Sequence, residues 1–478
     1  MSYIPNVNDL FSILPMLILA GMGLFLLIVQ FLLPNKEDTG VLWLLTFLAI
    51  LASTFSVWYL TQNPGYGNYF YSQVSISPLT RYLNFLYLFC AAVTLLIVPH
   101  SFRKNQAHFP EFYALLLFCL TGLMFFTTAY DLMVIFIGLE IFSLCFYILI
   151  GMTRNSASSL ESAMKYFLLG AFSSAFMLLG IAFLYGGSGS TNVDRVLNGL
   201  FQTGFQSNFA KLGFGLFLIG IFFKSALVPF HAWTPDVYEG SLTPITGFMA
   251  SAGKVCALGL LLVLFQHIPS GNGGEIWKHL VGAVAFLSMT WGNLVAIRQT
   301  NLKRILAYSS ISHAGYIALG IACGANLEAL YYLVTYAVMN LAAFSLLSYM
   351  ESGEREITLK TISSLSQNSP YIAFALSVLF LSFAGFPPLI GFWSKFFLLQ
   401  KVAESDLLFH RFLLFAAVAN SALAFFYYMN ITIQSYMKAE ALEDLDGLEK
   451  DFPTSLVVGI SVAFLLFGIL VFQPMSFV

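Results

Sequence analysis

The sequence predicts an all-α integral membrane protein of about fourteen transmembrane helices, arranged as two inverted five-helix repeats in which helices 7 and 12 are discontinuous. Three observations predict it. Of 478 residues, 59% are hydrophobic and 9% charged, with a mean hydropathy of +0.82, whereas soluble domains average about 45–50% apolar and about 25% charged residues. Apolar runs recur along the whole chain, each close to the ~20 residues that a hydrocarbon core of about 30 Å demands. Two of these runs are interrupted by proline in corresponding places.

The elements follow in order. A first run at 10–33 lacks a basic leading segment and a small-residue cleavage site, so it is expected to be a retained span. With runs at 41–61 and 80–99 it forms an N-terminal three-helix segment, 1–109. Runs at 110–129, 131–152, 160–185, 208–230 and 243–267 make the first repeat, 110–267. Ser158 and Glu161 have capping-box spacing at the head of its third helix. The GGSGS stretch at 186–190 lacks a phosphate-loop Lys-Ser/Thr and reads as a flexible outer loop. Runs at 276–297, 304–324, 328–350, 370–400 and 409–436 make the second repeat, 276–436, and a last run at 453–473 closes the chain within 453–478. The acidic stretch AEALEDLDGLEKD before it reads as a solvated inner loop or a docking surface.

Basic loops stay cytoplasmic. With the N-terminus outside, Lys36, Arg103, Lys104, Arg154, Arg298, Lys303, Arg304, Arg355, Lys360, Lys438 and Lys450 fall inside, and Arg81, Arg195, Lys211, Lys278, Lys401 and Arg411 outside. Eleven against six places both termini on the periplasmic side of a cell inner membrane. Cys90, Cys119, Cys145, Cys256 and Cys323 show no metal-ligand spacing and read as packing residues. A net charge of -2 gives no reason to expect nucleic acid as a partner.

The seventh helix runs GIFFKSALVPFHAWTPDVYEGSLTP and the twelfth LSFAGFPPLIGFWSKFF. Proline removes a backbone donor and clashes with the preceding turn, so both are expected to break. Pro229 and Pro387 lie 158 residues apart, an offset of five helices, and this odd number inverts the second half. Broken helices in matching positions of two halves point to a transporter site.

Charged residues inside apolar spans cost about 2.5–3.5 kcal/mol each on insertion scales and are functional by default. Glu140 on the fifth helix, Lys165 near the start of the sixth, Lys224 before the first break, Lys254 in the eighth and Lys395 after the second break form a row through the membrane interior. Shifting Glu140 relative to Lys224 or Lys165 would switch a lysine between holding and releasing a proton. With one intramembrane carboxylate, the row suits protons better than sodium. Buried pairs that fix helix register, or snorkelling in the case of Lys165, are the structural alternatives. His231, seven residues past Lys224, is a possible relay or a satisfied loop residue, and Lys303 a possible relay or an interfacial basic residue. His313 with Ser309, Ser310 and Ser312 reads as core hydrogen bonding. No haem, flavin or quinone signature appears, so no cofactor is expected on this chain.

The strings DLMVIFIGLEIFSLCFYILIG, ESAMKYFLLGAFSSAFMLLGIAFLYG, FFKSALVPFHAWTPDVYEGSLTPITGFMASAGK, RQTNLKRILAYSSISHAGY and FAGFPPLIGFWSKFFLL resemble the antiporter-like membrane subunits of respiratory NADH:quinone oxidoreductase over nearly the whole chain. The resemblance implies a fourteen-helix translocase subunit that carries no redox centre. Quinone reduction elsewhere in the complex would drive proton pumping, with FMN and iron-sulfur clusters on partner subunits and other antiporter-like subunits as neighbours. By motif, Glu140 resembles the glutamate that modulates a central lysine, Lys224, with Lys165 beside it; Lys254 resembles the connecting residue and Lys395 the one facing the exit. Absence of a long lateral helix, Lys395 in place of a glutamate, and Asn340 where the L and M types favour lysine all point to the N type. The alternatives are a subunit of a multi-subunit cation/proton antiporter or membrane-bound hydrogenase, and a structural assembly subunit.

Overall fold

A computed structural model describes residues 5–32, 39–62, 65–104, 109–201, 208–269, 273–351, 356–363, 365–437 and 451–470. Lys36, Arg355, Lys438, Lys450 and most of the acidic stretch before the last helix lie outside the described residues. Among the described residues, thirteen helices are long and apolar enough to cross a membrane. They are α1 (Leu14–Leu32), α2 (Gly40–Gln62), α3 (Pro78–Lys104), α4 (Glu111–Thr128), α5 (Leu132–Ile150), α6 (Ala157–Ser188), α7 (Asn208–Ser225), α8 (Thr243–Phe265), α9 (Gly274–Ala296), α10 (Leu302–Ala322), α11 (Asn326–Met350), then α14 (Leu408–Met437) and α15 (Phe452–Leu470). The remaining expected span is split into α12 (Pro370–Ala384) and α13 (Ile390–Ala403).

Side-chain caps set several helix starts. Asp131 accepts from the Met133 amide at 2.9 Å to open α5, Asn301 accepts from Lys303 and Arg304 to open α10, and Asp451 accepts from Thr454 to open α15. Each satisfies amides that the first turn leaves without an intrahelical partner. The cap of α6 is Ser156, bonded by the Ser159 amide at 3.4 Å, and not Ser158 with Glu161. The Ser158 reading fails because the helix begins two residues earlier, which turns Glu161 towards Lys165. GGSGS is not wholly a loop either: α6 continues to Ser188 and ends on left-handed Gly189. A short antiparallel hairpin, β1 (Gly67–Tyr69) and β2 (Val74–Ile76), pairs Asn68 with Ser75 and is the one two-stranded sheet among the described residues.

The chain forms two compact units. The first holds residues 1–95, 108–223 and 259–274. Here α4 packs along α5, α1 along α4 and α2, and α5 along α6. The α4–α5 approach depends on two glycines, because a Cβ at Gly122 would sit 2.6 Å from the Phe142 amide and one at Gly138 2.6 Å from the Phe126 amide. Small residues at such crossings let transmembrane backbones close together.

The second unit holds residues 96–107, 224–258 and 275–478. Its centre is α11, packed by the first turns of α8 and by α10, α12, α13 and α15. α10 and α11 are enclosed almost all round, whereas α14 and α15 leave most of their surface open. Apolar residues such as Phe415, Phe426 and Ile460 cover that open surface, as expected of helices that meet lipid or a partner.

Candidate functional site

In the first unit, Glu140 lies mid-way along α5 and is half-buried, with Oε1 enclosed and lacking a hydrogen-bond partner among the described residues. Enclosing a carboxylate oxygen without a partner carries a desolvation cost. Two turns further on, Tyr147 packs edge-on to Tyr166 at 4.9 Å. Lys165 pairs with Glu161 at 2.7 Å, one helical turn away, and keeps 42% of its side chain exposed.

The second unit brings together more of the predicted residues. Lys224 occupies the last turn of α7 and is buried. The helix stops at Ser225, five residues before the expected 230, because Ala226 adopts a left-handed φ of 57° and Pro229 follows. A turn then leads to a short helix, Thr234–Gly240. His231 lies in this interruption, with Nδ1 enclosed and unbonded among the described residues and its ring against Trp291.

Lys254 follows a π-helical segment, Met249–Gly253, of the kind that re-aims side chains at functional sites. It is 1% exposed. Its Nζ donates to Ser310 Oγ at 2.5 Å and lies 5.7 Å above the Tyr238 ring. Lys395, on α13, turns back to the break: Nζ donates to the carbonyls of Phe383 and Ala384 at 2.9 and 3.0 Å and stands 5.3 Å from the Tyr316 ring. Those carbonyls end α12, where the helix dipole presents partial negative charge. Neither Lys254 nor Lys395 has an ion-pair partner among the described residues; carbonyls, a hydroxyl and aromatic faces hold their ammonium groups.

Between these lysines runs a stripe on α10. Ser309, His313 and Tyr316 recur at spacings of four and three, the neighbours on one helix face. His313 Nδ1 meets Tyr332 Oη at 2.8 Å and Nε2 meets Tyr428 Oη at 3.1 Å. Tyr428 Oη in turn bonds Ser309 Oγ, and Tyr316 Oη donates to the Ala417 carbonyl and meets Ser421 Oγ, both at 2.8 Å. His313 is hydrogen-bonded in the core, as the sequence indicates. Tyr316, Tyr332 and Tyr428 were not singled out from the sequence, because one tyrosine in an apolar helix looks like any other core aromatic. The detectable signal was the Ser309–His313–Tyr316 periodicity.

Lys303 and Arg304 belong to a separate ionic cluster at the start of α10. Lys303 pairs with Glu351 at 2.7 Å, while Thr243 Oγ1 also donates to Glu351 at 2.5 Å. Arg304 reaches Asp236 at 3.2 Å and Glu239 at 2.5 Å. Asn301 Nδ2 donates to Glu239 and Glu356. The TPDVYEG segment therefore anchors the basic head of α10. Asn340 spends its amide on its own helix, donating to the Tyr336 carbonyl at 2.9 Å.

A family profile described as NADH:quinone oxidoreductase/Mrp antiporter, TM, matches residues 129–423. The chain is similar to NADH-quinone oxidoreductase subunit N of Leptospira biflexa serovar Patoc, 60% identical over all of both proteins. It is also similar to the subunit N of Leptospira interrogans, 48% identical over 92% of this chain and 86% of that one. Among solved structures, a chain of respiratory complex I from Thermus thermophilus with bound aureothin matches with a TM-score of 0.80 and 30% identity, over 96% of this chain and 98% of that one. The chain belongs to the NADH:quinone oxidoreductase/Mrp antiporter membrane family, in its NADH-quinone oxidoreductase subunit N branch.

Proposed function

We propose that the chain is a proton-translocating membrane subunit of NADH:quinone oxidoreductase. It moves protons along Glu140, Lys165, Lys224, Lys254 and Lys395 when quinone is reduced elsewhere in the complex. The observation that supports this most is the polar stripe of α10, with buried Lys254 at one end and Lys395 near the other. In this reading Lys254 gives a proton towards Ser310, the hydroxyls of Ser309 and Tyr428 and the His313 imidazole pass it on, and Lys395 receives it near the break. Each of the hydroxyls and the imidazole can accept on one side and donate on the other. A shift of Glu140 relative to Lys224 or Lys165 would switch a lysine between holding and releasing a proton. His231, in the first break, is a second candidate relay. Lys303 contributes less, because Glu351 already holds it.

FMN and iron-sulfur clusters reside on partner subunits, and neighbouring antiporter-like subunits flank this one. Residues 110–267 and 276–436 are the inverted repeats, and both termini face the periplasm of a cell inner membrane. The left-handed residues Ala226 and Gly385, each closing a helix at a break, lie 159 positions apart, which supports the repeat. The test is proton pumping by vesicles carrying the assembled complex with Lys224→Ala, beside a quinone-reductase assay and a native gel. Lost pumping with depressed turnover in an intact complex is the expected result; normal pumping in an intact complex leaves Lys224 outside the path and favours a scaffolding role.

A further inference from the structure

Away from the lysine row, the second unit carries a cleft of about 290 Å³ where the end of α11 meets the first turns of α12 and α15. Its size is near the lower limit of about 300–1,000 Å³ for small-molecule sites. Leu346, Phe374, Ala375, Val458 and Val462 make the walls apolar. Its mouth is different. Tyr349 and Ser455 also line the cleft. Lys104 donates to the carbonyls of Tyr349 and Glu351, both at 2.8 Å, and the His100 ring lies 6.1 Å from the Tyr349 ring. Arg103 pairs with Asp451 at 2.9 Å, the residue that caps α15 one turn before Ser455.

We propose that this cleft binds an anionic phospholipid, one acyl chain between α11, α12 and α15 and the headgroup phosphate on Arg103. The walls belong to helices that would lie in the bilayer, so an acyl chain matches them. The charges at the mouth select the headgroup. Among the described residues, Arg103 and Lys104 bring two basic side chains to this end of the cleft, where Asp451 pairs with Arg103 and Glu351 with Lys303. Lys104 is committed to two carbonyls, whereas the Arg103 side chain is 69% exposed. The Asp451 bond uses one of its five donors, leaving the rest of the fork for a phosphate. Tyr371, 88% exposed at the head of α12, supplies the amphipathic ring expected at headgroup level. Basic pockets between transmembrane helices are suited to acidic headgroups.

The test uses the assembled complex in vesicles containing trace phosphatidylglycerol or phosphatidylcholine with a photoactivatable acyl chain. Phosphatidylglycerol should label peptides spanning residues 371–375 and 455–462 more strongly than phosphatidylcholine. Arg103→Gln should reduce that preference about fivefold, the contribution of one basic residue near an anionic headgroup. Gly459→Phe tests the cleft separately, since a Cβ at Gly459 meets nothing within 4 Å and the ring can fill the cleft. It should abolish labelling by both lipids while a native gel shows an intact complex. Equal labelling by the two lipids, labelling unaffected by Gly459→Phe, or no lipid labelling because a neighbouring subunit occupies the cleft would each overturn the proposal.

Discussion

At the scale of single residues, the site solves the problem of holding ammonium groups in an apolar interior by two different means. Lys395 sits on the free carbonyls of a broken helix, and Lys254 on a serine hydroxyl, over the face of a tyrosine ring. Among the described residues, neither lysine is given a permanent counter-charge, which would hold the proton in place. His313 is the residue whose two ring nitrogens both contact hydroxyls, Tyr332 on one side and Tyr428 on the other. If protons cross here, His313→Phe should slow pumping about 100-fold or more, the usual scale for removing a positioned acid–base group, with the complex still assembled. Tyr428→Phe should slow pumping as well, because the Tyr428 hydroxyl is the link between Ser309 and His313. Initial pumping rates normalised to complex content check both; wild-type rates from His313→Phe would remove the α10 stripe from the path.

At the scale of elements, the two interrupted helices show how much the sequence discloses and where it stops. Pro229 and Pro387 made the breaks legible, since proline cannot continue a helix. The exact ends were not, because they depend on the residues that turn left-handed, Ala226 and Gly385, and a left-handed alanine has no sequence signal. The cap of α6 was misplaced for a related reason: Ser156, Ser158 and Ser159 are all suitable, and tertiary packing chooses among them. Gly385 is the position where backbone and chemistry meet. Its φ is 83°, and an added Cβ would lie 3.0 Å from Lys395 Cδ. Gly385→Ala should therefore cost about 1–2 kcal/mol in backbone strain and push the ammonium off the α12 carbonyls. A lower Tm of the purified complex together with reduced pumping is expected; an unchanged Tm would show that the break relaxes freely.

At the scale of the molecule, membrane class, helix count and family could be read from composition, run length and motif strings, whereas the ion network behind the FHAWTPDVYEG motif could not. Its residues are far apart in sequence: Asp236 and Glu239 precede α8, Arg304 begins α10, and Glu356 follows α11. Local patterns cannot reveal a cluster that exists only after distant segments have packed. Read alone, Lys303 and Arg304 are cytoplasmic-side basic residues, and that rule accounts for their presence but not their partners. The pairing makes a prediction about assembly distinct from any about transport. Arg304 is 28% exposed and its acidic partners 35% and 26%, so the pairs are partly desolvated, and deleting one side leaves carboxylates uncompensated. Arg304→Gln should lower stability by about 1–3 kcal/mol, below the ~3–5 kcal/mol of a fully buried pair, and reduce intact complex on a native gel. Glu239→Gln combined with Arg304→Gln should recover part of that loss, because the double change also removes one stranded charge. A double variant that assembles no better than Arg304→Gln alone would mean that Glu239 carries none of the penalty and that the cost lies in Asp236 or in lost packing of the arginine stem.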